Sequence, residues 1–139
     1  MMEANLKWVE GLTFISKSGS GHAIVMDSST SEKNSIGPAP TELLLQALCG
    51  CTGMDVISIL QKMKEPVKGF EVNAIGIRAT EHPKVITDIT LEYVVYGDVN
   101  PDNFQKAIDL SQDKYCNISI TLKRAGVKFD IRKVIKQQS

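Results

Sequence analysis

The sequence lacks a surplus of charge of either sign. Its 16 Lys and Arg balance 16 Asp and Glu, and no basic run interleaved with aromatics disturbs that balance. A nucleic-acid surface needs such a footprint, so no nucleic-acid partner is expected. Aromatics make up only 6% of the chain, which leaves core building mainly to aliphatic side chains. Cysteine is limited to three residues, an odd number without framework spacing. That usage fits a reducing compartment, where thiols are buried or chemically active and are not bridged. The two histidines, His22 and His82, show neither the i, i+4 nor the Cys-x-x-Cys spacing of a metal site, and no metal or cofactor is expected. Residues Met1 to Glu10 lack the charged, apolar and small-residue order of a secretion signal, so cytoplasm is the expected location. No repeat or linker divides the 139 residues, which predicts a single domain, 1–139, with a core that needs no disulfide staples.

What the chain does contain is one long apolar stretch, Pro40 to Lys64, and it reads as a helix. Pro40 suits the first turn, where its missing N–H costs nothing, and Glu42 places negative charge at the positive end of the dipole. Lys62 and Lys64 suit the other end, and Pro66 and Gly69 are expected to stop it. About 24 residues at 1.5 Å per residue span about 36 Å, the width of a small domain. Its apolar residues surround the axis, so the helix should be a central spine covered on all sides by sheet or by a second subunit. Gln46, Thr52, Asp55 and Ser58 make it too polar for a membrane span, and no membrane partner is expected. Gly50 and Gly53 each cost about 1 kcal/mol against alanine in a helix interior, which suggests close packing against the backbone beside Cys51.

Around this spine the periodicity is mostly that of strands. Asn5 to Glu10 and Leu12 to Lys17, separated by Gly11, predict a hairpin with Leu6, Trp8, Leu12 and Phe14 on one face, and His22 to Asp27 predicts a third strand. Ser28 to Ala39 reads as a polar surface loop. After the helix, Phe70 to Thr80 and Val85 to Tyr96 alternate as a long hairpin joined through the turn at Glu81 to Lys84. Both registers of the second strand are rich in apolar residues, so partial cover of its outer face is expected. Asn100 and Pro101 open a helix with an apolar stripe at Phe104, Ala107, Ile108 and Leu110. A break near Tyr115 to Asn117, a short helix from Ile118 to Ala125 and a final strand from Val127 to Ile135 complete an α+β layout.

Cys51 and Cys116 are the candidates for chemistry. Cys51 sits in mid-helix between two glycines, and Cys116 sits where a short helix should begin, a place that favours thiolate. Cys49 is two positions from Cys51, about 200° around the helix, and reads as a core residue. Asp55 is one turn beyond Cys51 on the same side.

Two segments resemble the OsmC/Ohr family. Pro40-Thr41-Glu42-Leu43-Leu44, followed by Ala47-Leu48-Cys49-Gly50-Cys51-Thr52, is similar to the family's Pro-x-Glu-Leu stretch that opens the central helix and leads to a peroxidatic cysteine. Lys114-Tyr115-Cys116-Asn117-Ile118-Ser119-Ile120-Thr121-Leu122 resembles its second motif, Cys-Pro-x-Ser-x-x-Leu, with Asn117 in place of proline. The resemblance covers nearly the whole chain and lies closest to the family's YhfA-like branch.

It implies an OsmC-like α+β fold, antiparallel sheets wrapped around a long central helix, in an entwined homodimer with its sites at the subunit interface. By the same resemblance Cys51 attacks the O–O bond of an organic hydroperoxide and becomes a sulfenic acid. Cys116 then resolves it to a disulfide, and a lipoyl or thioredoxin-type dithiol reduces the pair. The family activates its first cysteine with a Glu at the helix start and an Arg from the N-terminal strands. Here Thr41 occupies the glutamate position and Glu42, the remaining candidate, follows it by one residue. No arginine precedes Arg78, and Thr13 lies near the expected place, with Lys7, Lys17 and His22 as the nearby cations. Lysine offers a point charge but not a bidentate fork. Two other functions compete: a binding module holding a small hydrophobic ligand in a dimer cleft, and a redox-sensing interaction protein. The last lacks a DNA-reading helix pair.

Overall fold

A computed structural model describes residues 1–137. It divides into two compact units, Met1–Leu44 and Leu45–Ser139. The first holds an antiparallel meander of β1 (Ala4–Glu10), β2 (Thr13–Ser18) and β3 (Ala23–Met26). Gly11 takes the left-handed φ of +52° that the tight β1–β2 turn needs, and its carbonyl accepts the Trp8 indole N–H at 2.9 Å. The polar segment after β3 is a loop, as its composition predicts, and Asp27 organises it. The two Asp27 carboxylate oxygens accept the backbone N–H groups of Ser28 at 2.8 Å and Ile36 at 3.0 Å. Gly37 is required there, because a Cβ would stand 2.7 Å from the Val25 carbonyl oxygen.

Helix α1 (Pro40–Lys62) starts where proline and charge place it. Glu42 reaches back and accepts the Ala39 N–H at 2.9 Å, half of a capping box. Its end corrects the sequence reading. Lys64, not Gly69, takes the left-handed conformation, with φ of +59°. Its N–H bonds to Gln61 and that of Glu65 to Leu60, both at 3.0 Å, a Schellman closure, while Gly69 opens the next strand.

The second unit is a three-stranded sheet in the order β4 (Gly69–Arg78), β5 (Ile86–Tyr96), β6 (Lys128–Lys136). β4 and β5 form the expected antiparallel hairpin, and β6 runs parallel to β5. The parallel pairing follows from the intervening helices, which return the chain to the start of β5. These are α2 (Pro101–Leu110), a π-helical turn at Ser111–Tyr115, and α3 (Asn117–Arg124). Asn100 caps α2 as expected, its side-chain oxygen accepting the N–H of Asp102 at 2.9 Å and of Asn103 at 3.1 Å.

The core joins Leu48, Val56 and Leu60 of α1 to Ile89, Leu91, Tyr93 and Val95 of β5 and to Phe104, Ala107 and Ile108 of α2. Only one stripe of α1, Leu48, Thr52, Val56 and Leu60, is fully buried, and Met54 is 73% exposed. Among the described residues of the second unit, the helix is therefore not covered on all sides. Gly53 meets Val72 and Phe70 of β4, whereas Gly50 has open space beside it. On the outer face of β4, Ile75 and Ile77 are exposed as well. Length and apolar composition alone would let α1 cross a bilayer. In this fold its middle instead bonds to polar side chains of the core.

Candidate functional site

One turn of α1 supplies Cys51, Thr52 and Asp55. Thr52 continues the buried i, i+4 stripe, so it points into the core, while Cys51 and Asp55 share the adjoining, half-buried face. The second contributor is the turn between α2 and α3. A π-turn inserts one extra residue per turn, and here the Cys116 N–H bonds to the Ser111 carbonyl, five residues back, at 2.8 Å. The widened turn leaves both Ser111 and Gln112 buried. Cys116 then caps α3, its sulfur accepting the Ser119 N–H at 3.4 Å.

Cys51 Sγ, Cys116 Sγ and an Asp55 carboxylate oxygen all lie within 4.8 Å of one another. All three cysteines are free, Cys116 fully buried and Cys51 partly so. Cys49 is also only half-buried, so it is not the core residue expected from its position. Its neighbours on α1 are exposed at Ala47 and Gly50, which leaves that side of the helix thinly covered. Burial pushes the Cys51 thiol up from its ordinary value. The Ile118 backbone N–H at the start of α3 lowers it, and the neighbouring Cys116 and the Asp55 carboxylate raise it further. The charged neighbour acting on Cys51 is thus an acid, where a cation would have favoured thiolate. Glu42, nine residues earlier on α1, spends its carboxylate on the helix cap.

Sequence reasoning missed a buried polar chain behind the thiols. Tyr93 OH lies 2.6 Å from Thr52 Oγ1, Thr52 Oγ1 lies 2.7 Å from Ser111 Oγ, and Ser111 donates to Asp55 Oδ2 at 2.9 Å. Gln112 Nε2 donates to Tyr93 OH at 2.7 Å. Each hydroxyl has one proton, and Ser111 gives its own to the carboxylate. Thr52 must therefore donate to Ser111, and Tyr93 to Thr52, so every bond in the chain is directed toward Asp55. Burial raises the Tyr93 phenol's pKa, and Gln112, which donates to its oxygen, acts the other way. A signal for these residues was present: Thr52, Tyr93 and Ser111 are polar at positions where the i+4 or i+2 pattern calls for an apolar side chain. From Asp55 a groove of about 440 Å³ runs between Ser58, Ile59 and Lys62 of α1, Met63 just after it, and Leu110 and Tyr115.

The chain belongs to the OsmC family, whose OsmC-like protein model matches residues 31–132. It is 42% identical over 125 residues to protein YhfA of Escherichia coli K12, covering 89% of this chain and 91% of that protein. Among solved structures, a hypothetical protein from Aquifex aeolicus superposes with a TM-score of 0.88 at 30% identity, covering 100% and 98% of the two chains. An organic hydroperoxide resistance protein from Elizabethkingia anophelis shares the fold with a TM-score of 0.70 at 13% identity, covering 99% and 96%.

Proposed function

We propose that this protein is a thiol-dependent peroxidase that reduces organic hydroperoxides through Cys51 and Cys116, acting as a homodimer. The observation that carries the reading is the approach of the two free sulfurs to within 4.8 Å, from elements 65 residues apart in the chain. In the first step the Cys51 thiolate attacks the terminal peroxide oxygen. The S–O bond forms, the O–O bond breaks, and the alkoxide leaves as an alcohol after taking a proton. Cys116 sulfur then attacks the Cys51 sulfenic acid, forming the disulfide and expelling hydroxide, which departs as water with the Cys116 proton. An external dithiol of the lipoyl or thioredoxin type returns both thiols to the reduced state.

Ile59, Met63 and Leu110 give the groove beside Asp55 an apolar lining suited to an alkyl chain. An Elizabethkingia protein of the same fold is described as conferring organic hydroperoxide resistance, which agrees with this substrate class. The exposed Met54, Ile75 and Ile77 supply apolar surface for a second copy, whose helix fits the open side of Gly50.

The test is turnover of cumene hydroperoxide with dihydrolipoamide as reductant. Multiple turnovers by the native protein, abolished in Cys51→Ser, are expected; no turnover, or equal turnover by the variant, removes the proposal.

A second reading, a module that binds a small hydrophobic ligand, is favoured by one observation: an acid and not a cation acts on Cys51, so the site does little to form thiolate. Native mass spectrometry distinguishes the two. A copurifying ligand together with thiols inert to hydroperoxide supports the binding module.

A further inference from the structure

The pair of thiols and Asp55 form a donor set whose geometry suits more than redox chemistry. Cys51 and Asp55 stand at i and i+4 on α1, the spacing by which a helix presents two ligands to one ion, and Cys116 faces them from the start of α3. Ligand atoms about 2.3 Å from a tetrahedral zinc ion stand about 3.8 Å apart. The three donors already lie within 4.8 Å of one another, so small side-chain rotations close the set. Two of the donors are also oriented from behind: Ser119 N–H bonds to Cys116 sulfur at 3.4 Å, and Ser111 hydroxyl bonds to Asp55 Oδ2 at 2.9 Å. Such outer contacts fix ligand direction in metal sites.

From this arrangement we infer that the reduced protein binds a thiophilic divalent cation of the zinc class through Cys51, Cys116 and Asp55. Two sulfurs exclude magnesium and calcium, which take oxygen ligands, and a fourth tetrahedral position stays open to water. Binding releases the two thiol protons. When a hydroperoxide oxidises the occupied site, the two thiolates supply both electrons and become the disulfide. The peroxide takes up two protons and leaves as alcohol and water, and the cation departs unchanged. The disulfide no longer offers thiolate donors, so the ion is bound by the reduced pair and lost on oxidation. Binding itself requires only reduced thiols and is independent of the peroxidase reading.

The experiment is a titration of the reduced, metal-free full chain with cobalt(II), followed by displacement with zinc(II). One cobalt per chain, thiolate-to-cobalt charge transfer, tetrahedral d–d bands and their loss on zinc addition are expected. Asp55→Asn should weaken binding by about tenfold or more. Cys51→Ser should remove the charge-transfer signature, and Cys49→Ser should leave it intact. No charge transfer in the native protein, a band that survives Cys51→Ser, or unchanged affinity in Asp55→Asn overturns the inference. No peroxide is used, so the result is separable from failure of the turnover test.

Discussion

Thr52 is the hinge of the buried polar chain, joining Tyr93, Ser111 and Gln112 around one hydroxyl. Thr52→Val keeps its shape and removes that hydroxyl, which leaves buried partners without a bond. The expected cost is about 1–3 kcal/mol, measured by urea unfolding; a neutral result would mean that the network contributes nothing to stability. A second residue-scale prediction concerns Asp27. Backbone N–H groups of Ile36 and then Ser28 hold its carboxyl below the ordinary carboxylate value. A group depressed in the folded state contributes its full stabilisation above the unfolded pKa, and loses it as pH falls through the lower folded value. The protection of the Ser28 and Ile36 amides, relative to their intrinsic exchange, should therefore fall only below about pH 4, and Asp27→Ala should remove that step. The cysteines could be singled out from sequence because each lies in a segment resembling a family motif. The polar residues behind them left a signal as breaks in the apolar pattern, but their pairing could not be read, since Tyr93 and Ser111 meet Thr52 across separations that local pattern does not encode.

At the scale of elements, α1 was legible because proline, acid and a long, mostly apolar run act locally and agree. Its end was less so: glycine was the expected left-handed residue, and Lys64 takes that role because the Schellman bonds fall two residues before Pro66. The π-turn was expected only as a break, since one additional residue in a turn leaves no compositional mark. The helix carries an uneven load. Leu60 is fully buried, and Leu60→Ala should cost about 2–5 kcal/mol by chemical denaturation. Met54, 73% exposed in the single chain, separates two accounts of the helix's other side. If a second copy covers it, Met54→Ala should lower the melting temperature in a concentration-dependent way; a change within about 0.5 kcal/mol at all concentrations is what a free surface residue gives.

For the whole molecule, the α+β order and the hairpin of β4 and β5 were readable from alternation, whereas the parallel return of β6 depends on a crossover that only the assembled chain reveals. The exposed apolar faces of α1 and β4 lead to a prediction at this scale. Light scattering should give twice the mass of one chain, and a strict monomer at micromolar concentration would leave those faces without an occupant. The central claim is that Cys51 and Cys116 act as one redox pair. Its most direct measurement is mass spectrometry of the reduced protein after one equivalent of cumene hydroperoxide, with peptide mapping. The account predicts loss of two hydrogens and a single crosslink between the Cys51 and Cys116 peptides. An unchanged mass, oxygen added to Cys51 without a crosslink, or a crosslink through Cys49 would contradict it.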